Sequence, residues 1–164
     1  MAEQRERAAP DSVPTRIGQV VMLHHGGDRE EARRRLLDLW TELGEHGDPL
    51  HRCTLAHYLA DTHDDPEDEL AWDLRALTAA EEHRESAAVR ALYPSLHLSL
   101  AADYAELGRM AAARTHVRRA RAAADVLADD GYGAGVRAAI GRLELRIGDE
   151  GPGGEHGIPS RRGG

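Results

Sequence analysis

Cys53, His57 and Asp61 follow one another at four-residue intervals, a spacing that stacks them along one face of a helix. A thiolate, an imidazole and a carboxylate so arranged can ligate zinc or copper, and His24 or His25 can complete the set. Two acid–base pairings are also available: His57 with Asp61 or Asp65, and His97 with Asp73 or Asp103. In each, a carboxylate would orient an imidazole base. Other features weigh against chemistry. The chain has one cysteine and no CxxC or HxxxH pairing, too little for a typical structural metal site. It has no nucleophile elbow, phosphate loop or dinucleotide fingerprint, and Gly131-Tyr132-Gly133 reads as a turn that ends a helix. Charged helices bring acids and histidines to helical spacing without any catalytic purpose. The expectation is therefore no catalytic residue, no metal and no cofactor, with Cys53 a small buried apolar side chain.

The elements that must position these residues are helices. Alanine and leucine dominate, phenylalanine is absent and the aromatic share is 4%, a composition suited to closely packed helices rather than sheets. The spacing predicts a first helix over 14–25, burying Ile17, Val20, Val21 and Leu23 and stopping at Gly26-Gly27. Asp28 caps the second, with Glu31 completing a capping-box-like start. That helix runs to Leu43, carries Leu36, Leu37, Leu39 and Trp40 inward, and ends at Gly44. Asp48-Pro49 and Asp65-Pro66 open the third and fourth, each proline sitting where no amide partner is needed. The fourth keeps a helical period through Leu70, Leu74, Leu77 and Ala80, and 81–93 reads either as its continuation or as a polar connection. Pro94 begins the fifth helix, Gly108 divides it from the sixth, and the seventh, 134–147, carries Val136, Ile140, Leu143 and Ile147 on one stripe. Residues 1–13 are polar and residues 148–164 glycine-rich, and both are expected to be disordered tails.

At 164 residues, one helical domain over 14–147 is expected. The net charge of −8 argues against nucleic-acid binding, where phosphate contacts supply much of the affinity. All 21 basic residues are arginine, with neither lysine nor asparagine present; the pattern suggests codon bias in a high-GC genome, as in actinobacteria. Arg114, Arg118, Arg119 and Arg121 are expected to pair with neighbouring acids. The acidic run His63 to Glu69 reads as a turn and a helix start, and Trp72 as a core residue. A lone cysteine fits a reducing compartment, and no apolar run suggests a signal peptide or a membrane span. A cytoplasmic protein without membrane contact follows.

The stretch Leu98 to Ala120, LSLAADYAELGRMAAARTHVRRA, resembles one unit of a tetratricopeptide repeat, a helical hairpin of about 34 residues. With Gly108 as the turn glycine, Leu100 and Ala101 take the Leu-small pair, Tyr104 the aromatic, and Ala113 and Ala120 the two alanine positions. His97 stands where the family has a large aromatic. A unit around Gly27 and Ala32 fits more loosely. A middle unit with Leu55 and Ala56 lacks the turn glycine. The resemblance implies an all-α fold of three antiparallel hairpins in a short right-handed solenoid, closed by a C-terminal capping helix. It is similar to the helical-repeat region of actinobacterial regulators.

In that family the first helix of each unit lines a concave groove. The resemblance thus implies a binding surface of Val21, His24 and His25, then Cys53, His57 and Asp61, then Ser95, His97, Leu98 and Glu106, with Ile17, Leu50 and Ala102 beside them. The implied function is a regulatory or adaptor module holding a protein or peptide partner. Without lysine or asparagine, the groove cannot clamp a peptide's C-terminal carboxylate in the family's familiar way. The other reading is a small-molecule or metal site, even a catalytic one, built from the same His, Cys and Asp residues. Self-association through the groove or the exposed end is also compatible with the pattern.

Overall fold

The computed structural model describes residues 12–162, with side chains as far as Gly148. Its described residues are all helix and connection. Capping chemistry sets the boundaries. α1 (Val13–His25) starts where the Ser12 hydroxyl accepts the Thr15 amide. α2 (Arg29–Leu43) starts where the Asp28 carboxylate accepts the Glu31 amide, and stops at Gly44. Asp48 and Asp65 accept the amides of Leu50 and Glu67, at 2.8 and 2.9 Å, to open α3 (Pro49–Asp61) and α4 (Pro66–Glu81). The chain then turns, forms the single turn α5 (Ala87–Arg90), and enters α6 (Tyr93–Glu106) and α7 (Met110–Ala123). The fourth helix therefore does not continue through 81–93: the polar stretch is a connection with one helical turn pinned by buried Val89.

α7 passes into a short 3-10 turn, Ala124–Val126, and α8 runs Gly131–Arg162. Gly131-Tyr132-Gly133 thus opens the last helix instead of ending the sixth. Asp130 supplies the cap by accepting the Gly133 amide at 2.8 Å. The residue at 133 must be glycine, because a Cβ there would collide with the Ala128 carbonyl. The expected 1–13 tail lies outside the described residues up to Asp11, and the side chains of the expected 148–164 tail lie outside them from Asp149 onward.

The chain divides into two compact units at Arg84/Glu85. In the first, α1 pairs with α2 and α3 with α4, while α3 also packs on α2 and α1. Ile17, Val20, Ala32, Leu36, Leu39, Leu55 and Leu59 form its core, with Trp40, Tyr58 and Trp72 against it. Ala32, Ala56, Ala60, Ala76 and Ala80 are fully buried, because small side chains let these helices approach closely. Trp40 and Trp72 meet edge to face at 5.2 Å, with the Arg52 and Arg75 guanidiniums over their faces. Two helices turn differently from expectation. Leu37 is exposed, and α4 buries Leu70, Asp73, Ala76 and Ala80 while Leu74 faces solvent. Val21 and Leu23 are half-buried rather than core.

In the second unit α6 and α7 form a hairpin through Gly108, whose φ of 78° is the left-handed conformation that glycine adopts without steric cost. α8 lies against α7 and α6, and its Val136, Ile140, Leu143 and Ile147 stripe is buried against Ala113, Val117, Ala120 and Ala124. Arg121 and Glu144 join α7 to α8 at 2.6 Å.

Candidate functional site

α1 and α3 present two parallel stripes to a groove of about 370 Å³, within the roughly 300–1,000 Å³ typical of ligand pockets. Pro14, Ile17, Gly18 and Val21 come from α1, and Leu50, His51, Thr54 and Tyr58 from α3. The spacing follows from the helical period: residues three and four apart share a face. Apolar side chains form most of the wall, and Thr54 spends its hydroxyl on the Leu50 carbonyl at 2.9 Å.

Gly18 is the unusual member. Mid-helix glycine costs up to about 1 kcal/mol relative to alanine, yet nothing here requires it. A Cβ at 18 would meet no atom within 4 Å. Its effect is to leave the groove floor open to a close backbone approach.

One turn beyond Val21 and Tyr58 the stripe becomes polar. Asp61 lies there with His24 and His25 of α1 and His57 of α3 near enough for their charges to act on it. Partial burial raises the Asp61 carboxyl above its ordinary range, and the three histidines, His57 foremost, oppose that shift. The residue is also exposed over more than a third of its surface, so water moderates the rise. Among the described residues, Asp61 forms no ion pair with an arginine.

His57 faces inward on its other side, its Nδ1 lying 3.4 Å from a carboxylate oxygen of buried Asp73. The carboxylate beside its Nδ1 is therefore that of Asp73, where Asp61 or Asp65 was expected. Cys53 has no exposed surface. Burial and the nearby Asp73 charge push its thiol up to about 12, so at neutral pH it is neither a nucleophile nor a metal ligand in its resting form. Among the described residues of this unit, no three His, Cys, Asp or Glu side chains bring ligand atoms within 4.8 Å of one another. The expected Cys53–His57–Asp61 row therefore splits: Asp61 is exposed one turn past Tyr58, His57 turns toward Asp73, and Cys53 is buried in the core.

The remaining expected residues lie in the second unit. Ser95 shares a 2.8 Å hydroxyl contact with Tyr132. Leu98 is half-buried against the cores formed with α7 and α8, so it packs where a ligand anchor was expected. Glu106 is exposed at the end of α6. His97 is buried, with its Nδ1 3.0 Å from that of His116 on α7. Tyr93 and Tyr104 stack on the outer faces of the two rings, so a column of four rings spans the hairpin. Burial first, then His116 and Arg119, lower the His97 pKa to about 4. Burial and Arg119 lower that of His116. His97 thus packs in the hairpin as a neutral ring.

No family model, curated protein or solved structure matches this chain.

His51, Thr54, Tyr58, Pro14 and Gly18 were not expected at the groove. The α3 face is turned from the one implied by the repeat register, which placed Leu50, Cys53, His57 and Asp61 together. The fully apolar pair Leu55–Leu59, both buried, fixes that rotation by claiming the core side. His116 carried no signal in the sequence, because its partner lies across the hairpin.

Proposed function

We propose that this chain is a protein-interaction module of tetratricopeptide type that holds a peptide or helix in the α1–α3 groove. The observation that carries this reading is the groove itself: an apolar trough between two first helices, floored by a glycine that the helix does not need. Three hairpins with small residues buried at their contacts, and left-handed glycines at Gly27 and Gly108, support the repeat-like architecture. The last helix suits the role of a cap. A regulatory or adaptor role in the cytoplasm accords with the lone, buried, protonated cysteine. In addition, no helix among the described residues is long and apolar enough to cross a membrane.

A catalytic reading has less support. His57 lies beside the Asp73 carboxylate, but the chain's one thiol, Cys53, is protonated and buried.

The test is a groove-filling substitution. Gly18→Trp should remove ligand binding while preserving the helical circular dichroism spectrum and without lowering the melting temperature, since the added ring enters open space. A ligand found in host extract that binds wild type and Gly18→Trp equally would defeat the reading.

A further inference from the structure

The two units carry unequal charge. The first, through Arg84, holds ten arginines against nineteen carboxylates, a net of −9. The second holds eleven arginines against ten carboxylates, a net of +1. The apolar groove therefore lies in a strongly acidic half.

Many of that half's carboxylates are already engaged. Glu42 binds Arg16 at 2.7 Å, Asp64 binds Arg29 at 2.6 Å, and Glu31 takes both Arg34 and Arg35. Asp28, Asp48 and Asp65 cap helices. Asp73 lies against His57. Asp61, one turn past Tyr58 on the groove wall, feels the charges of His57, His24 and His25 and has no arginine partner among the described residues. Such a carboxylate, crowded yet still reachable from solvent, gains from an incoming cation.

We infer that the occupant of the α1–α3 groove is a cationic amphipathic helix whose apolar stripe fills the trough and whose Arg or Lys, one turn beyond that stripe, pairs with Asp61. This rests on the groove reading above. The shape fits a helix because both walls are helical stripes of about two turns, Pro14 to Val21 and Leu50 to Tyr58, which match a partner's i, i+3, i+4, i+7 anchors. Gly18 leaves room for the partner's backbone to come close. The surplus negative charge of the unit accelerates encounter with a basic partner and repels an acidic one.

The experiment uses the full chain and two synthetic helices of about four turns. They share one leucine stripe and differ only in bearing lysine or glutamate on the polar face. Labelled peptides are titrated by fluorescence anisotropy at about 0.15 M salt, where charges more than about 8 Å apart are screened. The lysine helix should bind about tenfold or more tightly than the glutamate helix. Asp61→Asn should weaken the lysine helix about threefold, within what a partly exposed ion pair contributes, and should not weaken the glutamate helix. Gly18→Trp should abolish binding of the lysine helix, with a circular dichroism melt no lower than that of the wild type as the folding control.

Equal affinity for both helices, each lost in Gly18→Trp, would overturn the cationic partner and leave the groove standing. Lysine-helix binding that survives Gly18→Trp would be diffuse surface attraction, and both readings would fall. No binding of either helix would also overturn both. A dimer of the free protein that Gly18→Trp converts to monomer would make a second copy the occupant, against the inference.

Discussion

Cys53 shows how burial decides a residue's chemistry. A thiol held up to about 12 by desolvation and by the Asp73 charge exposes almost no thiolate at pH 7–8, and it has no surface for a reagent to reach. Native protein should therefore react with a disulfide thiol reagent far more slowly than protein unfolded in guanidinium. Prompt, stoichiometric labelling of the native state at pH 8 would contradict this placement. Gly18 makes the opposite point, that an open position can be destabilising in itself. Because its Cβ space is empty, Gly18→Ala should raise stability by about 0.5–1 kcal/mol in urea titration. A loss of stability would mean that the glycine serves the fold rather than the groove. Only one of the two was legible in the sequence. Cys53 read as a small buried apolar side chain, which it is, but its four-residue spacing from His57 and Asp61 also put it on an imagined ligand face. Gly18 gave no signal, since a glycine's purpose depends on what lies across from it.

At the scale of elements, the boundaries were legible where a single residue supplies the end of a helix. Asp28, Asp48 and Asp65 cap as expected, and Gly26-Gly27 and Gly44 stop α1 and α2. Gly108 is the clearest such case. At its φ of 78° an alanine places its Cβ against the neighbouring carbonyl, so Gly108→Ala should cost roughly 1–2 kcal/mol, with a lower melting temperature. That sign is opposite to the one at Gly18, so the pair separates backbone strain from helix propensity in one protein. Less legible was the rotation of each helix about its axis. On α4 Leu70 and Ala80 of the expected apolar period are buried, but Leu74 faces solvent and Asp73 and Ala76 take the inner positions between them. Alanine-rich helices carry weak amphipathic contrast, so the sequence alone leaves their facing ambiguous. The same ambiguity moved the α3 groove face from Cys53 and His57 to Thr54 and Tyr58. At α8, Gly131-Tyr132-Gly133 resembles a stop, and only the Asp130 cap and the Ala128 carbonyl reveal a start.

At the scale of the whole molecule, stability must respond to pH through the buried imidazole pair. In the folded chain His97 is lowered to about 4 and His116 is lowered as well, whereas an unfolded histidine titrates near its ordinary value of about 6.5. As pH falls below that value, the unfolded chain takes up protons that the folded hairpin refuses, so unfolding is favoured. The contribution is intact above about pH 6.5 and is lost progressively toward pH 4. For His97 alone the loss at pH 5 is on the order of 2 kcal/mol, equivalent to several degrees in melting temperature. Few carboxylates protonate between pH 7 and 5, so this interval isolates the pair better than a full acid titration would. His97→Phe keeps a ring between Tyr93 and His116 and removes one proton site, so its melting temperature should fall less between pH 7 and 5 than that of the wild type. The substitution also leaves His116 without its Nδ1 partner, which lowers stability at every pH; the informative quantity is therefore the slope. Equal slopes for the two proteins would show that the imidazole pair does not couple folding to protonation, and the acid sensitivity would then have to lie elsewhere among the ten histidines.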